Sequence, residues 1–155
     1  MLKIFPASAP QDIEAVRILF GEYSRMVAEA LCFQNFDDEL AALPGQYAPP
    51  GGILLIAREG TETVGCVALR RLDSRTGEMK RMYVRERYRG DGLGRRLAVE
   101  VIEAARKLGY ARVVLDTLPK LAPAIALYRD LGFREADPYF KSPTPGALCF
   151  ELRLS

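Results

Sequence analysis

Residues 85–100 read RERYRGDGLGRRLAVE. Gly90, Gly92 and Gly94 alternate there with Arg89, Asp91 and Leu93, and Arg95 and Arg96 follow at once. Glycine costs backbone entropy and supplies nothing to pack, so such a run marks a chain that must bend sharply or admit a close neighbour. A helix beginning here would present about four unpaired N–H groups and about half a positive charge, which together attract phosphate. Positive φ at the glycines would aim successive N–H groups at one anion, and the arginines would add charge-assisted contacts. The other reading is an ordinary glycine-rich helix entry. A dinucleotide fingerprint would require glycine where Arg95 stands, and a P-loop would end in GK[ST], which is absent.

The sequence contains no histidine. That excludes a Ser-His-Asp triad, a Cys-His pair and the common zinc sites, and leaves proton transfer to Glu, Asp, Tyr, Lys, Cys, water or backbone. Glu78 and Tyr128 are titratable residues with two readings each. Glu78 opens the strand-like stretch EMKRMYV and is either a base or a strand-edge glutamate paired with Lys80. Tyr128 lies in ALYRDLGF and is either an acid or a core aromatic beside Leu127 and Leu131. A further acidic group, Asp37, Asp38 and Glu39 in FQNFDDEL, could draw a cation or simply favour a helix first turn. Gln34 and Tyr139 are weaker candidates for the same neighbourhood, Tyr139 reading better as a tyrosine that closes a loop.

Composition frames these residues. The 155 residues fit one domain, 49% hydrophobic and 27% charged, with a net charge of +2. Positive charge is local: Lys80, Arg81, Arg85, Arg87, Arg89, Arg95 and Arg96 crowd around the glycines. That suits a compact polyanion better than a long nucleic acid, so no nucleic-acid partner is expected. The absence of a leader or a long apolar run leads us to expect no membrane partner and a cytoplasmic location. Cys32, Cys66 and Cys149 are isolated and set among apolar residues, as reduced core cysteines are.

The elements that would hold the site follow from periodicity. LKIFP at 2–6 reads as a strand; Ser8 with Gln11 forms a capping-box pattern, followed by Ile13, Val16, Phe20, Tyr23, Val27 and Leu31 at helical spacing. Asn35 is placed to cap a second short helix stopped by Pro44-Gly45. Stretches 53–58, 63–70 and 78–84 form a strand meander with hairpin turns EGTE and DSRTG. Leu93, Leu97, Val101, Ala105 and Leu108 share a helical face that Gly109 ends. RVVLDTL reads as a buried strand, 123–131 as a helix with proline at its first turn and Gly132 past its end, and GFREAD and ALCFELRL as two closing strands. The order βααβββαβαββ describes one α+β domain over residues 1–155, its sheet antiparallel early and mixed late.

The pattern R-G-x-G-x-G after MYV, then an amphipathic helix, a strand and ALYRDLGF, resembles the GNAT superfamily of acetyl-CoA-dependent N-acetyltransferases; its specific part runs from Glu78 to Phe133. The resemblance implies a mixed, mostly antiparallel central sheet with helices on both faces. It implies that Met82, Tyr83 and Val84 line the pantetheine arm through backbone groups, and that Arg89, Gly90, Asp91, Gly92, Leu93, Gly94 and Arg95 hold the pyrophosphate. Tyr128 falls on a tyrosine placed near the cofactor sulfur, and Glu78 on a glutamate base found in some members. One departure is Leu121, where many members carry an asparagine that helps hold the cofactor. The implied reaction moves acetyl from acetyl-CoA to a small-molecule amine by direct attack in a ternary complex, with no metal. Homodimers are common in such families, so a dimer is an expectation of the same origin. A non-catalytic acyl-CoA-binding module would keep the cradle and need neither Glu78 nor Tyr128.

Overall fold

The computed structural model describes residues 1–27, 36–139 and 146–154. The expected cap Asn35, and Leu31, Cys32 and Gln34, lie outside the described residues, as does the loop 140–145. The elements run β1 (Leu2–Pro6), α1 (Pro10–Val27), α2 (Phe36–Ala42), β2 (Ile53–Glu59), β3 (Glu62–Asp73), β4 (Thr76–Val84), α3 (Leu93–Lys107), β5 (Arg112–Thr117), α4 (Ala122–Asp130), β6 (Arg134–Ala136) and β7 (Leu148–Arg153). This is the order read from periodicity. Short 3₁₀ turns at Gly45–Tyr47 and Glu86–Tyr88 were not expected, and the second separates β4 from α3.

The described strands form one sheet in the order β1-β2-β3-β4-β5-β7-β6. Every pairing is antiparallel except β4 with β5. Parallel neighbours need a crossover, and α3 provides it. Its buried stripe of Leu93, Leu97, Ala98, Val101, Ile102 and Ala105 packs with Val67, Leu69, Met79 and Leu115 on one face of the sheet. Val16, Leu19 and Phe20 of α1 cover the opposite face at Leu54, Ile56, Cys66 and Ala68. Side chains alternate faces along a strand, so the two layers divide each central strand between them. A helix long and apolar enough to cross a membrane does not occur among the described residues.

Three local expectations are corrected. The α1 entry does not use Ser8 and Gln11: the Ala9 N–H donates to Asp12 Oδ2 at 3.4 Å and the Ala9 carbonyl accepts from Ile13, so the box sits one residue on. Asp12 is also drawn in by Arg58 at 3.1 Å, a partner no local pattern could reveal. Leu108 is not core; it follows the last turn of α3 and is 40% exposed. Glu78 is not at a sheet edge, because β4 lies between β3 and β5.

Candidate active site

Two neighbouring strands part company at the centre of the sheet. The parallel ladder pairs Thr76, Gly77 and Glu78 with Arg112, Val113 and Val114, and ends there. Two residues further along β4 the chain bulges. Cys66 pairs with Tyr83 but Ala68 with Lys80, so Val67 alone opposes Arg81 and Met82. Arg81 has φ +59°, a left-handed conformation that a side chain of this size adopts at a cost of about 1–3 kcal/mol. A bulge bends its strand and strengthens the local twist, and this one turns β4 away from β5. The Arg81 carbonyl accepts a 3.4 Å hydrogen bond from the buried Cys66 thiol, whose pKa burial pushes up, so this cysteine stays a neutral donor.

The parting leaves a slot of about 90 Å³, walled by residues 79–82 of β4 and 115–117 of β5. Tyr23 and Met26 of α1 line it, and so do Leu121 and Tyr128 at α4. Tyr128 is buried, its ring against Phe133 and Phe150 at 5.8 and 6.4 Å between centroids. The core-aromatic and slot-lining readings are therefore both true of it. Burial pushes its phenol pKa up, with the charge of Asp116 adding to the effect, so it is protonated at neutral pH. Among the described residues its hydroxyl makes no protein hydrogen bond, and no fully buried polar side-chain atom lacks a partner. That hydroxyl therefore opens on the slot.

Glu78 is 1% exposed and does not line the slot. It accepts from Arg70 Nε at 2.6 Å and from the Tyr139 hydroxyl at 2.5 Å, and Lys80 Nζ stands 4.0 Å away. Tyr139 thus closes its loop onto Glu78, and burial with the nearby Glu78 charge pushes its phenol pKa up. Of the acidic cluster, Asp37 and Asp38 are exposed, while Glu39 receives both Nε and Nη2 of the buried Arg81 at 3.0 Å. This fork ties α2 to the bulge.

At the far end of β4 lies the glycine corner. Gly90 and Gly92 have φ +91° and +83°, and a Cβ at either would meet nothing within 4 Å, so the backbone conformation is what selects glycine there. Gly92 caps α3 without a side-chain hydrogen bond, and the first intrahelical bond runs from Arg96 N–H to the Gly92 carbonyl at 3.1 Å. The N–H groups of Leu93, Gly94 and Arg95 therefore have no partner inside the helix. The arginines are engaged elsewhere: Arg95 with Asp130 of α4, and Arg89 through Nε with the Val84 carbonyl at 2.7 Å. Met82 and Val84 pack toward the cluster under α3, Met82 also lining the slot, whereas the Tyr83 hydroxyl donates to Glu22 at 3.2 Å on the α1 face. Glu22 also holds Arg85 through two hydrogen bonds, of 2.9 and 2.7 Å.

Sequence reasoning passed over Asp116 and the Glu39–Arg81 fork, and read Lys80 as the ion-pair partner of Glu78, which it is at 4.0 Å, without its place in the slot. Asp116 had a visible signal, a carboxylate interrupting the apolar run VVL in a buried strand. The other two depend on register and on a contact across 42 positions.

Comparison with known proteins agrees with this architecture. Residues 14–133 match the family model described as the acetyltransferase (GNAT) family. An uncharacterised N-acetyltransferase of Schizosaccharomyces pombe is 42% identical over 156 residues, covering 99% of this chain and 96% of its own. A GNAT-family acetyltransferase of Staphylococcus aureus superposes with TM-score 0.85 at 20% identity, covering 100% of both chains. A Salmonella typhimurium protein solved with its cofactor acetyl-CoA superposes with TM-score 0.81 at 21% identity, covering 100% of this chain and 95% of that one. The glycine corner, the parted strands and the sheet order thus have one common explanation: the chain belongs to the acetyltransferase (GNAT) family and is an acetyl-CoA-dependent acyltransferase.

Proposed function

We propose that the chain moves acetyl from acetyl-CoA to the primary amine of a small molecule by direct attack, both substrates being held at the slot together. The observation that carries this reading is the continuity of three features along β4: the parted ladder, the bulge at Arg81 and the open helix start beyond Val84. The diphosphate of the cofactor would rest on the N–H groups of Leu93, Gly94 and Arg95, with Gly90 and Gly92 shaping the approach. Its pantetheine arm would run beside Met82 and Val84 as an added strand does, pairing with main-chain groups that β5 no longer satisfies. The thioester would then lie at the bulge, where a main-chain N–H can stabilise the oxyanion without any particular side chain.

The chemistry balances simply. The ammonium form of the acceptor loses one proton, and its nitrogen lone pair attacks the thioester carbon. The C–N bond forms and the C–S bond breaks. The coenzyme leaves as a thiolate that takes a proton, and the new amide nitrogen gives up one proton. Holding both reactants in line supplies much of the rate. Tyr128 is the proposed donor to the departing sulfur, being protonated and open to the slot. Glu78, behind the slot lining and beside Lys80, is the proposed proton acceptor, fixed in place by Arg70 and Tyr139.

A coupled assay of thiol release from acetyl-CoA, run across an amine panel with mass-spectrometric detection of products, tests the reading. Amine-dependent thiol release with an acetylated product is expected, and Glu78→Gln should slow it by about 100-fold. Binding of acetyl-CoA without transfer to any amine would overturn the proposal. Unchanged turnover in Glu78→Gln would move the proton acceptor to Asp116, which lines the slot itself.

A further inference from the structure

Lys80 occupies an unusual position for a cation. Its side chain is 7% exposed, yet it lines the slot. Its nearest carboxylate oxygen, Glu78 Oε2, lies at 4.0 Å and already accepts the Tyr139 hydroxyl at 2.5 Å. The neighbouring cations are spent by comparison: Arg81 forks onto Glu39, and Arg70 binds Glu78 and Gln46. An ammonium carries three donors and no acceptor, and among the described residues Nζ makes no hydrogen bond. No fully buried side-chain nitrogen lacks a partner there, so Nζ reaches the open volume of the slot. A desolvated ammonium facing an opening is a receptor for an anion.

Register says where that anion must sit. Glu78 pairs directly with Val114, so Lys80 and Asp116, two residues further along each strand, project from the same face on opposite sides of the widening gap. That face is opposite to the one where Met79 and Leu115 pack under α3. It therefore lies across the sheet from Tyr128, which packs in the same cluster as α3. Lys80 immediately precedes the bulge residue Arg81, and neighbouring Cα atoms are about 3.8 Å apart. The Lys80 side chain thus leaves the backbone next to the bulge, and its Nζ lies in the slot lining 4.0 Å from Glu78 Oε2, so an anion received there would share the slot with the thioester.

Resting on the acetyl-transfer reading, we propose that the acceptor is a free amino acid, whose carboxylate is received by Lys80 Nζ while its amine points at the bulge. The carboxylate of Asp116 on the opposite wall favours the arriving ammonium group. A lysine side chain of a protein, a polyamine or a simple alkylamine has no carboxylate at that distance and leaves the ammonium with Glu78 alone, 4.0 Å away and already bound by Arg70 and Tyr139.

The test compares the twenty common amino acids with their carboxamides as acceptors, using acetyl-CoA and the full chain. At least one amino acid should exceed its carboxamide in kcat/KM by about 10- to 100-fold, the effect of one charge-assisted hydrogen bond. Lys80→Met should abolish that preference without changing KM for acetyl-CoA, and Lys80→Arg should restore part of it. Equal rates for acid and carboxamide in the unaltered protein, or a preference that survives Lys80→Met, would overturn the inference while acetyl transfer stands. Transfer only to amines without a carboxylate would overturn it too. If Lys80→Met fails to fold, the comparison on the unaltered protein decides. If no acceptor is acetylated at all, the transfer reading fails separately, and calorimetric titration of the same amino acids into coenzyme A-loaded protein decides this one. Binding lost with the carboxamide supports the carboxylate site, and no binding overturns it.

Discussion

Arg89 Nε donates to the Val84 carbonyl at 2.7 Å, so the arginine nearest the glycine corner closes the strand edge along which the proposed cofactor arm would run. Its guanidinium also stacks over Tyr83, 5.7 Å from the ring centroid, and touches Met26 Sδ at 3.3 Å. On the proposed binding mode the arm would displace Arg89 from Val84, and the released guanidinium would be free to meet the diphosphate. The bond to Val84 has one charged partner whereas a guanidinium–diphosphate contact has two and can be bidentate, so the exchange favours the bound state. Arg89→Ala is therefore expected to raise KM for acetyl-CoA by about tenfold. It should improve the use of S-acetyl-pantetheine, which has no diphosphate to lose. Steady-state kinetics with both donors checks this, and equal effects on the two would contradict it.

The glycines separate stability from binding. Gly94 lies inside the first turn of α3 with ordinary φ, and a Cβ there would meet Leu127 Cδ2 at 3.8 Å, a normal contact. Gly94→Ala should raise stability by about 0.5–1 kcal/mol through helix propensity. It should nevertheless weaken coenzyme A binding on the order of tenfold, because a methyl group would stand beside the N–H groups that approach the diphosphate. Gly92→Ala should lose about 1–2 kcal/mol, since its φ of +83° penalises any side chain. Thermal melts with calorimetric titration measure both, and an alanine at 94 that is stabilising and binds normally would contradict the cradle.

Tyr128→Phe keeps the ring packing on Phe133 and Phe150 and removes only the hydroxyl. Turnover should fall by about 10- to 1,000-fold with cofactor affinity nearly unchanged. The raised pKa means that the phenol does not ionise within the neutral range, so no alkaline limb near pH 8 or 9 should be traceable to it. Full turnover in the phenylalanine variant at saturating substrates would remove Tyr128 from the reaction.

Glu22 joins α1 to the end of β4 through Arg85 and Tyr83 and contributes to acid stability. Hydrogen bonds from Arg85 and the charge beside it hold the Glu22 carboxyl below the usual 4.5, with Tyr83 adding to the effect. A carboxyl depressed in the folded state contributes stability that is fully present above its unfolded pKa and is lost as pH falls through the folded one. Glu22→Gln should therefore cost about 1 kcal/mol at neutral pH and flatten the loss of stability below about pH 4.5, more weakly in high salt. Denaturant melts across that range check it; parallel curves for the two proteins would contradict it.

The corner around Gly92 was legible in the sequence because its chemistry is local: glycine spacing, a preceding strand and a following amphipathic stripe all fall within residues 78–108. Element order was legible for the same reason. What escaped depends on pairing between distant segments. The bulge at Arg81 exists only relative to Val67 on β3, and nothing in KRMYV marks a left-handed arginine. Lys80 and Asp116 share a face only once Glu78 is set against Val114. Glu78 looked like an edge residue because the chain does not reveal that β5 returns beside β4. The α1 cap shifted from Ser8 to Ala9 because Asp12 has two partners, one of them Arg58 in another strand.

The claim on which all else depends is that main-chain N–H groups at the start of α3 hold the diphosphate of coenzyme A. Amide chemical shifts of the ¹⁵N-labelled protein, recorded with coenzyme A and with S-acetyl-pantetheine, test it directly. Large shifts of Gly92, Leu93, Gly94 and Arg95 with coenzyme A, and none at those residues with S-acetyl-pantetheine, are the predicted result. Coenzyme A that binds while leaving these amides unmoved, or fails to bind at low salt, would contradict it.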